Sequence, residues 1–307
     1  MSHLANPLAS ASQLYLRSTL SSLPPDLQES VFIATQCLTQ AAGRLLRLPQ
    51  STAAQANVIL ARYWLVDSPM AHEFSDASAA AVYLVAKMGP VPRPPRDIAN
   101  VYAYLLSRDS AFFRAGDVPP DDDPESYYQP EADYHAFRTR LMSLEARMLY
   151  TLSFNTHVSL PHPLAITYLQ TLEFLSRPKQ QVSSRTIQYL NTALLSPQML
   201  YLTHQPHALA TAAIYNAARD LGAKMPDCAW WEVFDVDREE LGFLVVAMRS
   251  LEGWWRKRKE ELGPLGKGMM TRRAVEQEMR RRGLEVENGL RGGAAEEEEV
   301  MRLMDAR

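Results

Sequence analysis

An alanine-rich octapeptide that occurs twice constrains the fold of this chain more than any other feature. The segment AAVYLVAK at residues 80–87 aligns with AAIYNAAR at residues 212–219, an offset of 132 residues. Both copies have tyrosine at the fourth position and end in a basic residue. Small side chains all around a helix let neighbouring helices approach from every side, which is typical of a central, buried helix. The repeat therefore predicts two similar helical bundles, each built around one copy.

Proline and glycine divide the rest of the chain into further helices and put each copy third in a series of five. Alanine, leucine and other good helix formers dominate from residue 26 to 261, and few segments alternate polar and apolar residues with a period of two. In the second half the fourth piece is short and reads WWEVF. The pattern predicts an all-α protein with two tandem five-helix bundles.

Changes in composition along the chain suggest four regions. Residues 1–25 form a polar lead that we expect to be flexible, 26–156 the first bundle and 157–260 the second. Residues 261–307 carry charge runs and glycines, which favour a disordered tail. On this view, removing residues 263–307 leaves folding and function largely intact.

Composition and motifs argue against several classes of function. The formal net charge is −3, so the chain as a whole is not a polycation for nucleic acid, and two cysteines are too few for a disulfide framework. No apolar run approaches the length of a membrane span, and no basic, then apolar, secretory leader begins the sequence. Phosphate-binding loops, nucleophile elbows and zinc-ligand spacings do not occur. We therefore predict no catalytic residues, no bound metal, no cofactor and no small-molecule substrate.

Two charged residues suggest a binding role. Lys87 ends a helix that is otherwise predicted to be buried, so its ammonium group must reach solvent or meet acceptors. Glu145 lies midway along the fifth helix among apolar residues. One interpretation is a lysine favoured by the helix dipole and a glutamate on an exposed face. The other is a polar pair that is offered to a partner.

The sequence resembles the cyclin family over about residues 26–260, and it is most similar to the cyclin L subgroup. The resemblance rests on four segments in the family's order and spacing: AGRLLRLPQSTAAQANVILARYW, AVYLVAKMGPVPRPPRDIANVYAYL, LEARMLYTLSFNTHVSLPHPLAITYLQTLE and AAIYNAARDLG. It implies two cyclin boxes and a regulatory subunit that activates a cyclin-dependent kinase without doing chemistry itself. Lys87 and Glu145 match the family pair that holds the kinase's mobile helix, and the apolar positions around that pair are Leu84, Met88, Leu149 and Phe154.

For the cyclin L subgroup, the resemblance implies a nuclear protein whose kinase acts in RNA polymerase II transcription and pre-mRNA splicing, with splicing or transcription factors as further partners. Met88, Gly89 and Pro90 follow the lysine where the family often has two acidic residues. Two alternatives stay open: another transcriptional subgroup of the K, T or C type, and a DNA-binding factor with two cyclin repeats. The second would need basic stripes, which the body before Arg256 lacks, so direct nucleic-acid binding is not expected.

Overall fold

A computed structural model describes residues 5–107, 110, 127–175 and 180–284 of the chain. All regular structure within these residues is helical. The lead contains one short helix, α1 (Ala11–Arg17). The first bundle has five helices: α2 (Pro25–Leu45), α3 (Gln50–Tyr63), α4 (Phe74–Met88), α5 (Pro95–Leu106) and α6 (Glu131–Thr151). The predicted boundaries agree because proline stands at the start of α2 and α5 and just before α3 and α6.

The second bundle repeats this order with a reduced fourth position. Its elements are α7 (Pro161–Thr171), α8 (Gln180–Ala193), the short α9 (Leu200–Thr203), α10 (Pro206–Asp220), a single 3-10 turn at Glu232–Phe234 and α11 (Arg238–Leu262). The WWEVF segment is too short for an α-helix, and Asp235 in the left-handed region ends the turn. Two tandem helical bundles are therefore confirmed, the second with a 3-10 turn in place of its fourth helix.

The two alanine-rich helices are the centres of their bundles, as predicted. Ala80 and Ala81 in α4 and Ala212 and Ala213 in α10 are completely buried. α4 contacts α2, α3, α5 and α6, while α10 contacts α7, α8 and α11. A chain of buried hydroxyl groups also crosses the first bundle through Thr39, Ser78 and Tyr102, with oxygen separations of 2.7 and 2.6 Å. The small residues on both sides of Ser78 in α4, Ala77 and Ala79, allow this close approach.

The lead corrects one expectation, because residues 5–25 are held by specific contacts rather than flexible. Asn6 is buried at the junction of the two bundles. Its side chain donates to the Ser159 carbonyl at 2.7 Å and accepts from the Ser159 N–H at 2.8 Å. Its backbone exchanges two 3.0 Å hydrogen bonds with the Gln205 side chain. The buried amide needs these partners, so the lead is fixed at this point.

The segment after α11 corrects a second expectation. Residues 264–281 form α12 (Pro264–Lys267) and α13 (Arg272–Arg281), and Val275 and Met279 of α13 are fully buried in the main hydrophobic core. The Arg272 N–H donates to Glu73 at 3.0 Å, and Arg282 forms an ion pair with Asp26 at 2.7 Å, so α13 is anchored to the first bundle. The prediction of a disordered tail is wrong for residues 261–284, and residues 285–307 lie outside the described part. No helix in that part has the length and apolar character needed to cross a membrane.

Candidate functional site at the ends of α4 and α6

The C-terminal end of α4 meets the middle of α6 through one ion pair. The Lys87 ammonium group donates a hydrogen bond to Glu145 Oε1 and lies 5.4 Å from the centre of the Tyr83 ring. The two partners differ in exposure, since 49% of the Lys87 side chain is accessible but only 9% of the Glu145 side chain. The sequence placed both groups at a surface edge, whereas in the structure Glu145 is buried and Lys87 screens it. The half-exposed ammonium retains donor capacity for a partner.

Two exposed apolar side chains lie on the same two elements as this ion pair, Met88 next to Lys87 at the end of α4 and Phe154 in the turn after α6. Met88 is 52% exposed and accepts a contact of 3.7 Å from the Thr156 hydroxyl to its sulfur. Phe154 is 62% exposed and packs edge to face against Tyr150, with ring centres 5.5 Å apart. Large apolar groups that stand in water around a charged group form the type of surface that a protein partner covers.

The turn after α6 directs Phe154 outward. Ser153 and Phe154 both have positive φ angles, 50° and 60°, in the region that glycine prefers. A hydrogen bond of 2.8 Å from the Phe154 N–H to the Leu149 carbonyl closes the turn. A bulky aromatic residue in this conformation is unfavourable, so the surrounding structure holds it there.

A second ion pair fixes α6 relative to the end of α3. Arg147 donates to Asp67 at 2.7 Å, and the Tyr63 hydroxyl donates to the same carboxylate at 2.6 Å. Burial alone would raise the pKa of Asp67, but these hydrogen bonds outweigh it and hold the pKa below its usual value. Burial and the adjacent carboxylate raise the pKa of Tyr63. The ionised Asp67 therefore positions α6, and with it Glu145, against α4.

The backbone at Gly89, the residue after Met88, leaves little room for the acidic side chain that the family often has there. A β-carbon on Gly89 would lie 3.2 Å from the Val85 carbonyl oxygen and 3.4 Å from the Thr52 hydroxyl. The first contact is tighter than ordinary van der Waals packing, and the second is at its lower limit. This close approach accounts for the glycine that follows Lys87-Met88.

The six residues singled out from sequence occupy different depths. Lys87, Met88 and Phe154 are exposed, Leu149 is partly buried, and Leu84 is only 1% exposed and packs in the core one turn before Met88. Sequence reasoning missed Tyr83 and Tyr150. Tyr83 lies four residues before Lys87, a helical spacing that could have indicated it. No group of three or more potential metal ligands occurs within the described residues.

Comparison with known proteins identifies the sequence relatives. No model of a known protein family matches the chain. It is 33% identical over 213 residues to an uncharacterized cyclin-L1-like protein of Schizosaccharomyces pombe, covering 69% of this chain and 78% of that protein. It is 31% identical to Cyclin-L1 of Gallus gallus and 29% identical to Cyclin-L2 of Homo sapiens, covering 78% and 85% of this chain. The match spans only 42% and 47% of those two longer proteins.

Solved structures agree on the fold. One similar chain comes from the yeast RNA Pol II CTD kinase CTDK-1 complex, with a TM-score of 0.62, 14% identity and coverage of 92% of this chain and 85% of that one. Another comes from the CAK complex of Chaetomium thermophilum, with a TM-score of 0.60, 13% identity and coverage of 90% and 83%. At these identities the likeness concerns the fold, while the sequence relatives give the subgroup. The chain belongs to the cyclin family, among its cyclin L-like members.

Proposed function

We propose that this chain is the regulatory subunit of a cyclin-dependent kinase that acts in RNA polymerase II transcription and pre-mRNA splicing. The observation that carries the proposal is the Lys87–Glu145 pair at the end of α4, with its half-exposed ammonium group and apolar border. Two supporting facts are the cyclin L-like sequence and the likeness in fold to chains from two kinase complexes. The chain itself performs no chemistry in this account.

The pair suits the capture of a helix from a kinase. The Lys87 ammonium group donates one hydrogen bond to Glu145. Its other N–H donors can bind carbonyl groups at the end of a partner helix. Exposed Met88 and Phe154, at the ends of the same two helices, offer apolar area to such a helix. A partner helix would thus be fixed in both depth and direction.

Holding that helix is sufficient to activate a protein kinase. Phosphoryl transfer requires the active-site lysine to pair with a glutamate on the mobile helix. A subunit that binds only the inward position of the helix shifts the population toward the active state. The same proposal places the protein in the nucleus, with the transcription and splicing machinery as the source of substrates and further partners.

Purification of the tagged full chain from its native cell tests the proposal. We expect a cyclin-dependent kinase to co-purify, and the complex to phosphorylate RNA polymerase II tail peptides or splicing factors far faster than the kinase alone. Imaging of the tagged chain should place it in the nucleus. If no protein kinase co-purifies at endogenous expression, the proposed function is wrong.

A further inference from the structure

Three charged side chains are buried within the described residues, and one of them has no ion-pair partner there. Glu145 pairs with Lys87, and Glu278 pairs with two arginines of α13. Arg62, next to the end of α3, is only 8% exposed and forms no ion pair with any described carboxylate. A buried charge without a counter-charge is costly, and the chain itself does not compensate this one.

The contacts of Arg62 explain its position but not its charge. Its guanidinium group donates to the His157 carbonyl at 2.6 Å and to Asn6 Oδ1 at 3.4 Å, and both acceptors are neutral. The Nε atom is out of contact with water and meets no acceptor in the part of the chain that the structure describes. Burial lowers the pKa of Arg62, but a guanidinium group stays protonated in proteins, so the positive charge is retained.

A small cavity lies beside this guanidinium group, between the lead, the end of α3 and the turn after α6. Its volume is about 190 Å³, below the range of roughly 300–1,000 Å³ that is typical of small-molecule sites. Of the described residues that line it, only Arg62 is charged. A cavity of this size and charge suits one anionic side chain better than a cofactor or a nucleotide.

The cavity adjoins the surface that is proposed to bind the kinase. Ser153 and Asn155 are exposed residues of its lining, and they flank Phe154 in the turn after α6. Neighbouring Cα atoms are only about 3.8 Å apart. A protein that covers the exposed Phe154 ring therefore also reaches the rim of the cavity.

We propose that this cavity receives the carboxylate of an aspartate or glutamate of the bound kinase, which forms an ion pair with Arg62. The inference rests on the proposed function and adds to it an acidic residue that the kinase presents beside Phe154. One carboxylate neutralises one guanidinium group, and the two can form parallel hydrogen bonds. A phosphate group, with about −1.5 to −2 charges, would leave excess negative charge in a lining that has no second cation.

Titration of the recovered kinase with the Arg62→Gln full chain tests the site. Glutamine retains an N–H donor for the neutral acceptors and removes the charge. We expect kinase binding to weaken by about tenfold or more, because the kinase carboxylate is left unpaired. Arg17→Gln is the matched control, because Arg17 also donates to a backbone carbonyl, that of Pro197, but lies outside the cavity lining. This variant should bind normally.

Asn155→Asp decides the question if Arg62→Gln fails to fold. It replaces an amide with a carboxylate of the same shape within the cavity lining, and the wild type is its control. Pairing with Arg62 lowers the pKa of the new carboxyl group, so the melting temperature should rise at pH 7 and the gain should disappear below about pH 4. Kinase binding should fall by about tenfold, because the guanidinium group is already paired.

The two measurements separate a wrong site from a wrong function. Equal kinase binding by Arg62→Gln and Arg17→Gln would overturn this inference, while the proposed function stands if Lys87→Glu still weakens binding. An unchanged melting temperature of Asn155→Asp would also overturn it, because the cavity then does not hold a carboxylate against Arg62. If no kinase co-purifies, the proposed function and this inference are both wrong, even where Asn155→Asp is stabilised.

Discussion

The central helices of the two bundles end in opposite ways. At the end of α4, Lys87 has one carboxylate partner, stays half-exposed and is bordered by exposed Met88 and Phe154. At the end of α10, the Asp220 side chain is only 18% exposed and accepts from Arg185, Arg249 and Tyr189 at 2.7–3.0 Å. The first end leaves hydrogen-bonding capacity at a surface, whereas the second end satisfies its charge within its own bundle.

This difference explains how one fold can occur twice in a chain with only one proposed kinase contact. The offset of 132 residues aligns Lys87 with Arg219, so both helices have a cation at the same position. The same offset aligns exposed Met88 with Asp220, whose bonds connect α10 to α8 and α11. A repeated fold therefore does not imply a repeated function. In this account, the side chains at the ends of the central helices determine which bundle binds the kinase.

The largest expected effect concerns α13, which is anchored to the first bundle. Deleting residues 263–307 removes two fully buried side chains, Val275 and Met279. At roughly 1.5–3 kcal/mol for each, the free energy of unfolding should fall by about 3 kcal/mol. Denaturant unfolding of this chain, compared with a chain that ends at residue 284, measures the contribution of α12 and α13. If both chains unfold at the same denaturant concentration, residues 263–284 form a solvated tail, as expected from the sequence, and this prediction is wrong.

Overpacking tests whether both central helices are equally buried. Ala81→Phe in α4 and Ala213→Phe in α10 should each cost roughly 1–3 kcal/mol, because the new ring has no space among the neighbouring helices. Ala132→Phe, on an exposed position of α6, is the control and should stay within about 0.5 kcal/mol. A tolerated phenylalanine at either buried position would contradict the symmetric architecture.

Removal of Asp220 tests the closed end of α10. Asp220→Ala leaves Arg185, Arg249 and Tyr189 without their shared acceptor. Because both arginines are more than a third exposed, we expect a loss of only about 1 kcal/mol. Kinase co-purification should be unchanged. Loss of the kinase from a folded Asp220→Ala chain would show that the second bundle also contributes to binding.

The smallest expected effect is a dependence of stability on pH through His204 and His162 of the second bundle. Burial lowers the pKa of both, although a hydrogen bond with Asn191 partly opposes this at His162. The unfolded chain then binds more protons than the folded one, so stability falls as the pH drops below about 6.5. The melting temperature should decrease between about pH 7.5 and 5.5, and the decrease should be smaller in His204→Gln. An equally steep decrease in that variant would exclude His204 as a source.

The sequence predicted the helical architecture well for physical reasons. Alanine on all faces of a helix is typical of close packing against several neighbours, so the central helices could be predicted. Prolines mark the helix starts, so most boundaries could be predicted too. Lys87 and Glu145 stood out as charged groups among apolar residues, and the family resemblance matched them to a pair. The structure brings them together although they lie 58 positions apart in sequence. Their unequal exposure could not be predicted, because it depends on how α6 lies across α4.

The lead and the segment after α11 could not be predicted, because each is held by very few residues. α13 is highly charged and buries only Val275, Met279 and most of Glu278. Its composition is therefore typical of a helix exposed to solvent. Hydrogen bonds from Arg281 and Arg282 lower the pKa of Glu278 to about 2. They outweigh the cost of placing its ionised carboxylate against the core. Nothing in the sequence around Asn6 indicates that it is buried, because its partners Ser159 and Gln205 lie far along the chain.

The most direct test of the account is a titration of the recovered kinase with four forms of the full chain. The forms are the wild type, Lys87→Glu, the exchanged pair Lys87→Glu with Glu145→Lys, and Arg219→Glu at the aligned position of the second bundle. Thermal unfolding of each form runs in parallel, because Lys87→Glu leaves the buried Glu145 without its cation.

We expect Lys87→Glu to weaken kinase binding by about tenfold or more, and Arg219→Glu to bind normally. The exchanged pair should regain part of its melting temperature but not its affinity, because the ammonium group no longer faces the partner. If the exchanged pair regains affinity together with stability, the Lys87–Glu145 contact serves only to hold the first bundle together, and the proposed kinase site is wrong.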